Sequence, residues 1–181
     1  DGARGYIQYG AEQGLADRYK CRVRKPWYSV PSIYTTPIGM LKRSHNFPRL
    51  ILNSAGAYTT DTAYRIATTV SGISAEHLVY SFINSLTALS AELEGRHYGG
   101  GVLEMVPSEI EKLIIPMGKL KGFDLPSLDK IIRQSSNPDT LFDLQDAIVL
   151  KAAGLMKKEW TIIHGAWRRI RSRRHRLVTE D

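Results

Sequence analysis

One cysteine, Cys21, stands in a chain of 181 residues. That excludes an internal disulfide framework and any cysteine pair for a metal, and it makes a reducing, cytoplasmic setting the expectation. No run of 18 apolar residues occurs, and the N-terminus carries no apolar signal region, so neither a membrane helix nor a leader is read here. Catalytic signatures are missing too. The histidines, at 45, 77, 97, 164 and 175, show neither HxxxH nor HExxH spacing, which removes support for zinc hydrolysis. There is no GxSxG elbow, no GxxxxGK[ST] loop, and no acidic residue two positions before a lysine, so esterase, nucleotide-loop and metal-nuclease readings fail. The glycines Gly99 to Gly101 are too closely spaced for a phosphate loop. Asp139, Asp143 and Asp146 share one helix face, and a solvated acidic face explains them more simply than metal ligation. The expected catalytic, cofactor and metal residues are therefore none.

Positive charge is present, and it is uneven. Residues 1–50 carry a net +6, residues 51–150 a net −5, and residues 151–181 again +6. A basic surface at both ends of the chain suits an acidic partner. The segment RYKCRVRKPWYSVP, Arg18 to Pro31, alternates cations with Tyr19, Cys21 and Val23. As a β-strand it would put Arg18, Lys20, Arg22 and Arg24 on one face, about 6.6 Å apart. Such a row gains little unless a polyanion lies along it, although cations also protect edge strands from aggregation. Lys25, Trp27 and Tyr28 add a fifth cation and two flat aromatic surfaces.

The sequence reads as strands and turns from Tyr6 to about Val70, with runs at Tyr19–Val23, Trp27–Val30, Arg49–Asn53 and near Tyr64–Val70. From Ser74 the period changes. Leu78, Phe82, Leu86, Leu89 and Leu93 predict one helix, with Ser74 as N-cap and Gly95 as the residue beyond its C-terminus. Ser108 and Glu111 have capping-box spacing for a short helix ended by Pro116. Helices are expected at Ser127–Gln134, from Asn137-Pro138 to about Gly154, and from Met156 to Arg174. The fold class is α+β: a strand-rich N-terminal region with a central helix, then a helical C-terminal appendage. The expected domains are 1–118 and 119–181. The chain begins at Asp1 rather than at methionine, and the expectation is a piece of a longer protein.

The string YGAEQGLADRYKCRVRKPWYSVPS resembles the start of the target-recognition region of adenine-specific DNA methyltransferases of restriction–modification systems. FPRLILNSAGAYTTDTAYRI resembles the middle segment of that region. FINSLTALSAELEGRHYGGGVLEMVPSEIEKLIIP is similar to its helix, glycine-rich turn and closing proline. The pieces occur in family order over roughly Tyr6 to Pro116, and together they resemble the TaqI-like C-terminal specificity domain. The resemblance implies a two-part enzyme. Its other domain would bind S-adenosylmethionine and hold the target base with an Asn/Asp-Pro-Pro-aromatic motif. Here the only Asn-Pro, Asn137-Pro138, is followed by Asp139 and Thr140, so this fragment is expected to bind duplex DNA and transfer no methyl group. The implied partners are duplex DNA, the methyltransferase domain and a cognate restriction endonuclease, with no membrane. The implied location is cytoplasmic, at the nucleoid.

On that resemblance Arg18, Lys20, Lys25, Lys42 and Arg43 are expected at phosphates, and Arg22 and Arg24 at base edges or phosphates. Arg96 and Tyr98, beside the glycine turn, would insert toward DNA. Asn53 would read adenine or serve as a turn amide. Trp27 is either core or a stacking surface. WRRIRSRRHR, Trp167 to Arg176, is either a second DNA contact or a solvated terminal helix neutralised by Glu180 and Asp181. Two other classes of function stay open: an RNA-binding module, from the basic–aromatic interleaving, and a protein-interaction domain docking through the apolar helix Leu78–Leu93.

Overall fold

A computed structural model describes residues 2–134 and 137–176. The chain divides into two compact units, residues 1–34 and 35–181. The mixed α+β class holds, with every described strand before residue 105 and the longest helices after them.

The first unit contains no strand among its described residues. It consists of helix α1 (Gly2–Glu12), a 3-10 turn at Leu15–Asp17 and a short helix α2 (Tyr19–Arg22). The strand expected at Tyr19–Val23 is thus a helical turn, closed by the Arg22 amide donating to the Arg18 carbonyl at 2.9 Å. An alternating pattern specifies a strand only where a neighbouring strand takes up its backbone groups. None does here, and Arg and Lys are good helix formers. The row of four cations on one strand face therefore does not exist. Trp27–Val30 is likewise a turn, with the Ser29 amide bonded to the Pro26 carbonyl at 2.9 Å. Trp27 packs on α1: a Cβ added at Gly10 would lie 2.9 Å from the indole ring.

The second unit begins with strands β1 (Ile38–Leu41), β2 (Arg43–Ser44), β3 (Leu50–Leu52) and β4 (Ala63–Ile66). Helices α3 (Ala75–Ser81) and α4 (Ser85–Glu94) follow, then the hairpin β5 (Arg96–Tyr98) and β6 (Val102–Glu104). Two antiparallel three-stranded sheets result, ordered β3-β1-β4 and β2-β6-β5. Lys42 is the step between them, its amide bonded to Thr62 and its carbonyl to Met105. The remaining helices are α5 (Pro107–Ile110), α6 (Leu125–Gln134), α7 (Pro138–Ala152) and α8 (Lys157–His175).

The single helix expected over 74–93 is two helices. Ser74 caps the first, accepting from the His77 amide at 3.1 Å. Asn84 then interrupts in an extended conformation and caps the second, accepting from the Thr87 amide at 2.9 Å. The restart turns α4, so that Ala88 and Ala91 are buried while Leu93 is exposed. Gly95 is not a left-handed terminus (φ −81). Its missing side chain admits Leu103 and Met105, which a Cβ would meet at 2.7 Å. The capping residue of α5 is Glu109, which accepts from the Val106 amide, not the expected Ser108–Glu111 pair. Asn137 does cap α7, accepting from the Asp139 amide at 3.0 Å.

Two buried clusters meet at α3 and α4. One packs Ile38, Met40, Leu50, Leu103 and Met105 against Val79, Phe82 and Ala91. The other joins Tyr80, Ile83 and Ala88 to Phe142, Val149 and Trp167 of α7 and α8. Residues on both sides of position 118 thus share one core. Gly118 itself lies against the end of α7, where a Cβ would collide with the Ala152 backbone.

Candidate nucleic-acid interface

In the first unit Arg18, Lys20, Arg22 and Lys25 are exposed, and none forms an ion pair among the described residues. Arg18 stands at the start of α2, and Arg22 lies with its guanidinium 5.7 Å from the Tyr19 ring centre. Arg24 differs. It is half-buried and donates to the Ser29 carbonyl at 3.1 Å, so it holds the turn that follows.

In the second unit the expected site residues separate by their partners. Arg43 of β2 and Arg96 of β5 flank Glu104 of β6 in register. Arg43 pairs with Glu104 at 2.5 Å, and Arg96 turns to Glu109 at 2.8 Å. Burial alone would raise the Glu109 carboxyl, but the Val106 amide and Arg96 outweigh it and hold the group below its ordinary range. Lys42 is half-buried, its ammonium 5.2 Å from the Tyr64 ring. Asn53 is a turn amide. It donates to the carbonyls of Thr36 and Ala57 and accepts from the Ala57 amide at 2.8 Å. Tyr98 is exposed at the end of β5, next to the glycine turn.

The turn Gly99–Gly101 joins antiparallel β5 and β6. A strand and not a helix N-terminus follows it, so it is not a strand-to-helix phosphate loop. Among the described residues no group of three or more His, Cys, Asp or Glu could hold a metal ion, and no helix is long and apolar enough to cross a membrane.

The arginine-rich α8 is neither wholly solvated nor wholly a surface for a ligand. Arg168 pairs with Asp139 at 3.1 Å, and Arg171 donates to the Asn46 side chain at 2.8 Å while lying over Trp167. Arg174 is fully enclosed. Its Nε and Nη2 grip both oxygens of buried Glu92, at 2.9 and 2.6 Å. Nη2 also reaches the Asn46 carbonyl, and Nη1 donates to the carbonyls of His45 and Gly101. All five guanidinium donors are used. One side chain ties α4, the 45–46 loop, the glycine turn and α8 together. Glu180 and Asp181, the expected neutralising neighbours, lie outside the described residues; within them the acidic partners are Glu92 and Asp139.

The acidic face of α7 is not simply solvated. Asp139 and Asp143 contact His164 of α8 at 3.0 and 3.3 Å. Asp146 is buried and accepts from the Ser85 amide at 2.8 Å. Burial pushes the Asp146 carboxyl above its ordinary value, against the pull of that hydrogen bond.

Beside the glycine turn the last turn of α8 leaves an open cleft of about 790 Å³. Tyr98, Arg173 and Arg176 line it, with His97 and His175. His97 contacts Glu92 at 3.2 Å. The His175 ring lies tilted against that of His45, their centres 4.2 Å apart, and donates from Nε2 to the His45 carbonyl at 2.8 Å. Burial pulls its pKa below the ordinary value despite that bond. The sequence reading missed the Glu92–Arg174 tie. Its signal was available: His164, Trp167, Arg171 and Arg174 recur at spacings of three and four, an inward stripe drawn in polar residues.

A search of the curated proteins finds no match, and neither does a search of the solved structures. A family model does match: that of the C-terminal domain of the type II methyltransferase M.Eco57I, over residues 1–150. The match takes in the first unit, both sheets and the helices through most of α7, and the chain accordingly belongs to the family of that methyltransferase C-terminal domain.

Proposed function

We propose that this chain is the DNA-recognition part of an adenine-N6 DNA methyltransferase of a restriction–modification system. The observation that carries the reading is the family match over residues 1–150, which spans the opening segment with its four exposed cations free of ion pairs. Arg18, Lys20 and Lys25 would neutralise backbone phosphates, and Arg22 would reach a phosphate or a guanine edge. Lys42 and Arg43 belong to the same phosphate-binding set, and Arg96 and Tyr98 to the hairpin that approaches the duplex. Arg24 and Asn53 act instead by holding the turns that present their neighbours.

An adenine amino group stacked in a duplex cannot reach a cofactor, so the target base must be flipped out. The residues described here supply grip and orientation. S-adenosylmethionine and the transfer step belong to a catalytic domain outside this chain, in an enzyme acting at the bacterial nucleoid alongside a cognate restriction endonuclease.

The test is duplex binding by the full chain at several salt concentrations. A protein neutralising several phosphates loses affinity with a log–log slope of about −0.9 per phosphate. Replacing Arg18, Lys20 and Arg22 together by Ala makes the slope shallower by up to about 3 and leaves thermal stability intact. A salt-independent wild type overturns the reading, and tighter binding to single-stranded RNA than to duplex DNA replaces it with the RNA-binding one.

A further inference from the structure

The cleft beside the glycine turn has a composition the fold does not require. No carboxylate among the described residues lines it. Glu92, which Arg174 bonds, is buried and also touched by His97, so its charge is engaged there and not by Arg173 or Arg176. Both are exposed and form no ion pair among the described residues. Cations at a helix C-terminus complement the helix dipole, which accounts for basic residues on this turn. It does not account for the opposite wall.

That wall is glycine. Gly100 and Gly101 have φ of +75° and +74°, so the turn itself calls for them. Gly99 has no positive φ, and a Cβ added there meets nothing within 4 Å. Neither backbone conformation nor internal packing asks for glycine at this position. Bare backbone facing two guanidinium groups that form no ion pair among the described residues suits the close approach of an external anion carried on a bulky chain.

We propose that this cleft takes a backbone phosphate of duplex DNA, with Arg173 and Arg176 as its charge partners. Tyr98 lines the same cleft, and Arg174 is a positioning residue. The inference rests on the DNA-binding reading and deepens it. It also gives a binding role to the end of α8, which lies beyond the residues that match the family. The buried Arg174 fork fixes the distance between the walls, because it bonds both the Gly101 carbonyl and Glu92.

The experiment compares full-length variants for binding to labelled duplexes of unrelated sequence at 50 to 200 mM salt, the range over which phosphate contacts are usually resolved. The first carries Arg173→Gln with Arg176→Asn, asparagine being chosen because residue 176 has φ 55°. The control carries Lys157→Gln with Lys158→Gln, at the other end of the same helix. The cleft variant flattens the log–log slope by about 1 and weakens every duplex alike. The control changes the slope by less than half as much. Gly99→Leu, which fills the mouth without altering charge, weakens duplex binding at each salt concentration. Two results overturn the cleft while leaving DNA binding in place: a wild-type slope retained by the cleft variant, or equal flattening in the control. A wild type whose binding ignores salt removes the DNA reading and the cleft with it.

Discussion

Two arginine-rich segments of this chain look alike on paper and behave differently in the fold. In residues 18–25 four of five cations are exposed without an ion pair, and only Arg24 is tied to its own turn. In residues 167–176 the division is even. Arg168, Arg171 and Arg174 are bound to Asp139, Asn46 and Glu92, which leaves Arg169, Arg173 and Arg176 as exposed cations without an ion pair among the described residues. Density of charge does not distinguish a cation held for a ligand from one that builds the fold. Position relative to an apolar anchor does: Arg171 and Arg174 follow Trp167 by four and seven residues and so share its buried side.

The largest effect that tests this contrast is at Arg174. Arg174→Ala would leave the Glu92 carboxylate enclosed without its partner, which typically destabilises by about 3–5 kcal/mol. It would also orphan the carbonyls of Asn46 and Gly101 and take one of two donors from the His45 carbonyl. Lys20→Ala, in the other basic segment, should leave the denaturant midpoint unchanged. Urea unfolding of both variants checks the pair. Equal midpoints would mean that the buried fork contributes nothing the surface cations do not.

Legibility followed the same line. Elements announced by their own residues were readable, such as α7 behind Asn137-Pro138 and α8 across 157–175. So was the cap at Ser74. What failed depended on partners distant in sequence. The opening segment alternated like a strand but had no strand to pair with, and the break at Asn84 was hidden because the leucine spacing continued through it. Among the site residues, the sequence displayed the exposed cations of the first unit. It could not display that Glu104 and Glu109 engage Arg43 and Arg96, since register between β2, β6 and β5 decides that. Asn53 fell to the turn-amide alternative by the same kind of local geometry.

A middle-sized effect sharpens the contrast from the acidic side. The Asp146 carboxyl is raised by burial, so the folded state holds its proton more firmly than the unfolded chain does. Its contribution to stability is complete below the ordinary carboxylate range and is lost as pH rises through the raised value. Asp146→Asn keeps an oxygen for the Ser85 amide and cannot ionise. The variant should therefore gain on the wild type between pH 4 and pH 7.5 when their melting temperatures are compared. A constant difference across that range would show that Asp146 is not strained by its charge.

The smallest effect concerns the boundary between the two kinds of cation. Arg43 is exposed, yet Glu104 sits beside it at 2.5 Å and offsets its field. Exposed pairs of this kind contribute little to stability, because solvent screens them and two side chains must be held in one geometry. Their consequence should appear in binding instead. Glu104→Gln removes the competing anion while keeping a hydrogen-bond acceptor for the guanidinium. If Arg43 belongs to the DNA-binding set, duplex affinity at low salt should tighten by a factor of about two to five, the size of one weak ion pair released. The gain should fade as salt rises, since the released cation then meets screened phosphates. An unchanged affinity would place Arg43 with Arg174 among the residues that serve the fold, and would confine the DNA-facing cations to those that lack a carboxylate neighbour.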